Sequence, residues 1–313
     1  MAKRQVSRIN CLLGIDKPQG MTSHDVVARV RRALGERRVG HAGTLDPMAT
    51  GVMVVGIGQA TRLLGLLTLD TKAYVAEISF GAETNTDDLE GTVTREAAVP
   101  AEVGDADFAR EVLAGMRGVQ DQVPPAFSAI SVEGVRSYRR ARAGEEVALP
   151  PRRIEVIDAL LLGVGSGPRG PVWTVAFTVS KGTYIRALAR DLGRRVGSAA
   201  HLTALRRTAS GSIGLGQCLA LDAVEPAGAL QGALDPVAAL GSLALPLPAS
   251  LAADIQNGRR LPWDAVGRAR PAPGPEQRIA LVADGAVAAL AHVDAQTLAP
   301  DLVFPQPIGG VRP

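Results

Sequence analysis

A single carboxylate, Asp46, stands in the stretch GHAGTLDPMATG at positions 40–51, close to His41, Thr44 and Pro47 and between glycines. An apolar run, VMVVGIG, follows at once. Two readings of Asp46 are open. Asp before Pro is an ordinary turn starter. A lone carboxylate in a loop is also a candidate for nucleophilic or acid–base work, because loops carry much of a protein's chemistry. Its neighbours favour chemistry: Gly40, Gly43 and Gly51 let backbone approach a ligand closely, His41 adds a flat polar ring, and a buried strand behind the loop would hold it rigidly. The second group is KGTYIRALARDLG. Arg186 lies near the start of a helix, beside Tyr184 and Lys181, where a guanidinium can hold a carboxylate through two hydrogen bonds. Arg190, Arg194 and Arg195 read as a solvated basic face, with Asp191 and Arg195 as an i,i+4 pair. The third is Tyr74. It is either a core tyrosine with its hydroxyl at the rim or a stacking platform for a base.

Other chemistries find no support. GIGQATR lacks the GK[ST] ending of a phosphate loop and the spacing of a dinucleotide fingerprint. The histidines at 24, 41, 201 and 292 show no metal spacing, so neither cofactor nor metal is expected. Cys11 and Cys218 lie far apart and read as reduced thiols of a cytoplasmic protein. No apolar run reaches the ~18 residues of a membrane span.

Several elements must position these groups. LLGIDKP reads as a short buried strand ended by Pro18. TSHDVVARVRRALG reads as a helix with Thr22 or Ser23 as N-cap and Gly35 at its end. GVMVVGIG is a strand buried on both faces, and ATRLLGLLTLD a helix. KAYVAEISFG alternates, with Tyr74, Ala76, Ile78 and Phe80 on one face. AETNTDDLEG is an acidic turn region. FAREVLAGMRG is helical, VWTVAFTVS a strand, and a basic helix is expected around Tyr138. TYIRALARDLGRRVG is a helix with Thr183 as N-cap. The stretch 224–248, rich in Ala, Leu, Pro and Gly, reads as a linker or peripheral helix. RIALVAD, AVAALAHVD and DLVF predict a small β-rich domain. Strands and helices without regular βαβ alternation favour an α+β class.

The net charge of +3 hides a pattern: residues 1–62 carry +6, 63–108 carry −8, 109–215 carry +8 and 216–313 carry −3. Two basic blocks flank an acidic one, which suits a polyanionic partner. The blander source is an abundance of arginine, which supplies thirty of the thirty-four basic residues.

These segments converge on a family. IDKPQGMTSHDVVARVRR, VGHAGTLDPMATGVMVVGIGQATRL, KAYVAEISFGAETNTDDLEG, PPAFSA, SYRRARAGEEV, KGTYIRALARDLG and HLTALRRTASG occur in the order and spacing of TruB-type tRNA pseudouridine synthases, across about residues 10–215. The tail, with IQNGRRLPW and DGAVAALAHVD, resembles the small PUA-like RNA-binding domain of many members. The resemblance implies a catalytic domain over 1–235, with a mixed, largely antiparallel central sheet flanked by helices, and a PUA-like domain over 245–313. It implies a cofactor-free isomerase that converts uridine 55 of the tRNA T-loop to pseudouridine, acting as a monomer on the T-arm. Asp46 resembles the catalytic aspartate, Arg186 the arginine paired with it, and Tyr74 the tyrosine that stacks on the flipped uracil. His41 resembles the histidine that fills the vacated place, and Tyr184 and Leu205 the lining of the uracil pocket. Lys17 belongs to the family's first motif, grouped with the substrate-binding set but mainly supporting the catalytic loop. One departure is visible: FSAIS, Phe127 to Ser131, replaces the tyrosine-Ser-Ala-Leu-Lys of many members. It bears on tRNA affinity rather than on chemistry.

The resemblance gives the lone Asp a task. Cleaving a C–N glycosidic bond needs an ionised carboxylate near the sugar or the ring, and a neighbouring Arg favours that form. A stacked uridine must be extruded first, leaving a gap to fill. Attack on the sugar, attack on the ring and assisted elimination all remain open. Two rival classes are a non-catalytic RNA-binding protein on the same fold and an Asp-nucleophile glycoside hydrolase. The second needs a further carboxylate close by, and neither the GHAGTLDP nor the KGTYIR motif offers one. Tritium release from 5-labelled uridine separates both rivals from isomerisation.

Overall fold

The computed structural model describes residues 6–68, 71–128, 131–132, 135–137, 140, 145, 149–267, 273–274 and 276–312. The basic helix expected around Tyr138 falls outside them. The chain divides into two units. One holds the described residues of Met1–Pro47, Gly51–Leu69 and Ser210–Pro313; the other holds those of Met48–Thr50 and Asp70–Ala209.

In the first unit, strand β1 (Cys11–Lys17) leads into helix α1 (Ser23–Leu34). The helix starts where sequence places it. Thr22 accepts from the Asp25 N–H and Asp25 accepts from the Thr22 N–H, a reciprocal cap, and Gly35 ends the helix at φ 64°. Val26, Val27, Val30 and Leu34 form its buried stripe. Strand β2 (Val39–Ala42) pairs antiparallel with β3 (Thr50–Ile57), which also pairs along its length with β1. β3 is buried on both faces, as its unbroken apolar run requires. Met53, Val55 and Ile57 pack with the α1 stripe, while Val52 and Val54 pack with Leu63, Leu290 and Phe304. The expected helix over ATRLLGLLTLD is instead a 3-10 turn, Gly58–Leu63, followed by one α-turn, Leu64–Leu67. Gly58 opens it at φ 60°, and its N–H is taken by the Arg38 carbonyl.

The second unit starts with β4 (Lys72–Phe80) and includes α2 (Ala106–Ala114), β5 (Gly118–Gln122), β6 (Arg152–Gly167), β7 (Gly170–Val179), α3 (Ile185–Arg195) and β8 (Ala200–Ser210). Its strands run in the order β8-β4-β7-β6-β5. β4 and β7 pair antiparallel with Tyr74 opposite Phe177, so the expected face of Tyr74, Ala76, Ile78 and Phe80 is the buried one. Thr183 is not the N-cap of α3. Tyr184 holds that position, and the Thr183 hydroxyl donates to the Ser180 carbonyl instead.

The chain then returns to the first unit. β9 (Cys218–Ala220) lies parallel to β1 and β10 (Ala233–Leu234) antiparallel to it. Of the two readings of 224–248, linker or peripheral helix, the helical one holds in part: two short helices flank Ala233 and Leu234, which are buried and paired with the first strand. A five-stranded sheet follows, built from β11 (Leu243–Pro246), β12 (Leu261–Pro262), β13 (Ile279–Ala283), β14 (Ala286–Asp294) and β15 (Thr297–Ile308) in the order β11-β13-β14-β15-β12, with helix α4 (Ala249–Gln256) against it. The architecture is the α+β class expected. No helix among the described residues is long and apolar enough to cross a membrane.

Candidate functional site

Asp46 lies half-buried in the loop between β2 and β3, two residues before buried Met48 and Ala49. The segment KPQGMTS holds that loop from both sides of the carboxylate. Ser23, buried at the first turn of α1, donates its hydroxyl to the Leu45 carbonyl at 3.1 Å and accepts from the Leu45 N–H at 2.9 Å. On the other side, the Pro47 carbonyl accepts from the Gly20 N–H at 2.8 Å and from Lys17 Nζ at 3.2 Å. Lys17 also donates to the Pro18 carbonyl at 2.9 Å, and its residue is fully buried. Its ammonium group thus bonds the loop backbone at Pro47. Gly43 at φ 84° and Gly51 at φ 102° supply left-handed turns that bracket the loop. Gly40 has a packing reason instead: a Cβ there would stand 2.9 Å from Leu64 Cδ1. His41 belongs to β2 opposite Val55, not to the loop proper, and stacks edge-on with His24 at 5.7 Å between ring centres.

The second unit carries Tyr74, Tyr184, Arg186 and Leu205. Tyr74 is buried on β4, and Leu205 is buried on β8, the neighbouring strand. Tyr184 is fixed by a residue that sequence reading overlooked, Gln122. Its amide nitrogen donates to the Tyr184 carbonyl at 3.1 Å, and its amide oxygen accepts from the Tyr184 N–H at 2.9 Å. Arg186 is buried. Within its unit its guanidinium donates to the Thr86 carbonyl at 2.8 Å and the Phe127 carbonyl at 3.0 Å, and lies 3.4 Å from Asp88 Oδ2. The Phe127 contact uses backbone, so the Phe127 departure leaves it intact.

The solvated basic face expected for Arg190, Arg194 and Arg195 is overturned at Arg190, which is buried, whereas Arg194 and Arg195 are exposed. Three successive turns of α3 each meet an acid from the segment 83–88. Arg186 meets Asp88, Arg190 meets Asp87 at 2.9 Å, and Arg194 meets Glu83 through two bonds of 2.7 and 3.0 Å. Arg190 is buried; Arg194 remains half-exposed. Asp191 pairs with Arg190 rather than Arg195. Three acids of the turn region, Glu83, Asp87 and Asp88, are consequently buried, while Glu90 stays exposed. Burial pushes the Asp87 carboxyl up to about 6 against the pull of Arg190. For Glu83, burial is outweighed by Arg194 and Arg95, which hold its carboxyl below the usual range. Arginines at i, i+4 and i+8 beside the apolar stripe were a legible signal of this ladder. Their partners, about a hundred residues earlier, were not.

The thiol of Cys11 is raised to about 12 by burial, which leaves it inert as a nucleophile.

Comparison with known proteins bears on the family and the fold. Residues 31–185 match the family profile described as TruB family pseudouridylate synthase (N terminal domain), and residues 186–251 match tRNA pseudouridylate synthase B C-terminal domain. The tRNA pseudouridine synthase B of Nocardia farcinica is 44% identical over 301 residues, covering 96% of this chain and 95% of that one. That of Leifsonia xyli is 48% identical over 252 residues, covering 80% and 83%. Among solved structures, a Cbf5-Nop10-Gar1 complex aligns at TM-score 0.67 with 24% identity, and an H/ACA RNP bound to a substrate RNA containing 2'-deoxyuridine at 0.66 with 22%. Each alignment covers 94% of this chain and 84% of the other, and at such identity supports the fold alone.

Proposed function

The chain belongs to the TruB family of pseudouridylate synthases, and from that premise we propose that it isomerises uridine 55 in the T-loop of tRNA to pseudouridine, with Asp46 as the essential group. The observation that carries this reading is the mounting of the loop. Both neighbours of Asp46 are tied by hydrogen bonds to Lys17, Gly20 and Ser23, so the one carboxylate of the motif is presented on a fixed backbone. A turn-starting Asp needs no such anchorage on either side.

The reaction breaks the bond from C1′ to ring N1 and forms a bond from C1′ to C5. N1 takes up a proton and C5 releases one, so atoms and electrons balance without a cofactor. The target base leaves its stack before reaction. In our reading Tyr74 stacks on the extruded uracil, Tyr184 and Leu205 line its pocket, and His41 fills the place it vacates. Arg186 pairs with Asp46 and keeps it aligned, being itself held by Thr86, Phe127 and Asp88. Lys17 supports the loop from beneath. We assign residues 1–235 to the catalytic domain and 245–313 to a PUA-like RNA-binding domain, in a cytoplasmic monomer that acts on the T-arm.

The test is tritium release from tRNA carrying 5-labelled uridine, followed by mapping of pseudouridine in the product. Wild-type protein is expected to release label from position 55. Asp46→Asn is expected to retain tRNA binding, which rests mainly on phosphate contacts, and to lose isomerisation. Turnover above roughly a hundredth of wild type would argue against Asp46 as the essential group.

A further inference from the structure

The first unit carries a cleft of about 1300 Å³ that the proposed chemistry does not use. Its walls come from the N-terminal segment at Arg8, the turn after α1 at Glu36–Arg38, the 3-10 turn at Arg62 and the end of β15 at Gln306. Four arginines line it, Arg8, Arg37, Arg38 and Arg62, against one carboxylate, that of Glu36. Glu36 is buried, and its Oε1 accepts from the backbone N–H groups of Arg8 and Ile9 at 2.5 and 3.0 Å. Its charge therefore serves the wall.

Two of the arginines are fixed in place. Arg38 Nε donates to Thr61 Oγ1 at 2.8 Å. Arg62 lies over the Phe304 ring, 5.2 Å from its centre, and donates to the Val303 carbonyl. Arg8 and Arg37 are exposed. A concave surface lined by one sign of charge concentrates its field on an oppositely charged ligand. The volume exceeds the ~300–1,000 Å³ usual for small-molecule sites, and among the described residues the lining offers no aromatic ring on which a base could stack, Phe304 beneath Arg62 being fully buried. An extended polyanion fits these features better than a mononucleotide.

The cleft also has a defined place relative to Asp46. The ladder between β1 and β3 runs from Cys11 opposite Ile57 to Lys17 opposite Gly51. Arg8, Arg38 and Arg62 adjoin the first end, and the Asp46 loop adjoins the second. Six steps of ~3.3 Å separate the ends by about 20 Å. A nucleic-acid duplex carries a charge every ~1.7 Å of its axis, so on the order of a dozen phosphates span that distance. An RNA that presents a uridine at Asp46 thus has backbone to place at the cleft.

We propose that this cleft binds phosphates of the RNA substrate, a second grip about 20 Å from the reacting uridine. The proposal rests on the reading of the substrate as RNA, but not on the isomerisation itself.

The test is filter retention of labelled tRNA by the full chain, measured across a salt series for wild type, R8Q/R37Q and R8K/R37K. The exposed pair is chosen because their backbone contacts survive substitution. The Gln variant is expected to weaken tRNA binding roughly 10- to 30-fold near 0.15 M salt and to lower the log–log salt slope by about one to two units. The Lys variant is expected to recover most of both. A Gln variant with wild-type affinity and slope overturns the proposal and leaves the cleft to an acidic protein partner. So does a loss of affinity that Lys fails to restore, because that loss is structural. Retention requires no turnover. A wild-type protein that binds tRNA in this way but makes no pseudouridine would defeat the proposed function and leave this inference standing.

Discussion

Arg186 and Arg194 share a helix, a charge and a spacing, yet their surroundings give them different tasks. The Arg186 guanidinium is buried and divides its donors among two carbonyls and a carboxylate, each in a fixed direction. Lysine would keep the charge and lose the planar fork that reaches these partners together. Arg186→Lys is therefore expected to slow the proposed chemical step at least about tenfold, or ~1.4 kcal/mol of transition-state stabilisation. Arg194 is half-exposed, and its ion-pair partner among the described residues is Glu83. Arg194→Lys is expected to leave the chemical step nearly unchanged and to cost under about 1 kcal/mol of stability. Single-turnover kinetics on both variants separate chemistry from binding. Small, equal effects at the two positions would remove Arg186 from the chemistry.

Two arrangements of elements deserve separate tests. The first is the seam between α1 and the Asp46 loop. Ser23 begins the helix, but the cap itself is Thr22, so the Ser23 hydroxyl is available to bond both polar backbone groups of Leu45. Ser23→Ala would leave the Leu45 N–H and carbonyl without these partners in a buried place, a cost of about 1–3 kcal/mol. Because it loosens the loop rather than the RNA contacts, kcat should fall more than KM rises. A change confined to KM would argue against the loop-fixing role. The second is the ladder between α3 and residues 83–88. Arg190→Met would strand Asp87 without its closest cation, at about 3–5 kcal/mol. The sign of the pH effect follows from the raised Asp87 carboxyl, whose ordinary value is 3.8. The folded state holds this proton more tightly than the unfolded state, so the contribution of Asp87 is fully present below its ordinary value of 3.8 and is lost as pH rises through about 6. Losing Arg190 pushes the carboxyl further up. The cost of Arg190→Met should be smaller at pH 5 than at pH 8 by denaturant unfolding, and a pH-independent cost would contradict this account.

At the scale of the molecule, the charge blocks turn out to have different fates. Part of the acidic block is consumed internally: three of its ten carboxylates, Glu83, Asp87 and Asp88, are buried against the arginines of α3. That part of the basic excess in residues 109–215 is thereby neutralised. The first basic block keeps an open surface at Arg8 and Arg37. Binding of tRNA should accordingly weaken steeply with salt, each phosphate contact adding about one unit or slightly less to the log–log slope. A wild-type slope near zero would mean that the remaining arginines are merely solvated.

Local pattern and motif carried much of the outcome. The capping residues, apolar stripe and terminal glycine fixed α1 to within a residue, the unbroken apolar run of β3 predicted burial on both faces, and alternation placed Tyr74 on the buried face of β4. These features are legible because the forces behind them act over one helical turn or one strand pleat. The motifs also carried the family, since long segments in register encode a shared site. What the tertiary structure alone decided are pairings between distant segments. Asp87 reads as one acid of a turn region and Arg190 as a solvated helix face until the fold buries them against each other, 103 residues apart. Ala233 and Leu234 look like part of a linker or peripheral helix until they add to the edge of β1. Gln122 shows no signal of its own, because its importance consists entirely in reaching the backbone of Tyr184. In each case the residue's own neighbourhood in sequence is silent, because the group that satisfies it arrives only when the chain closes.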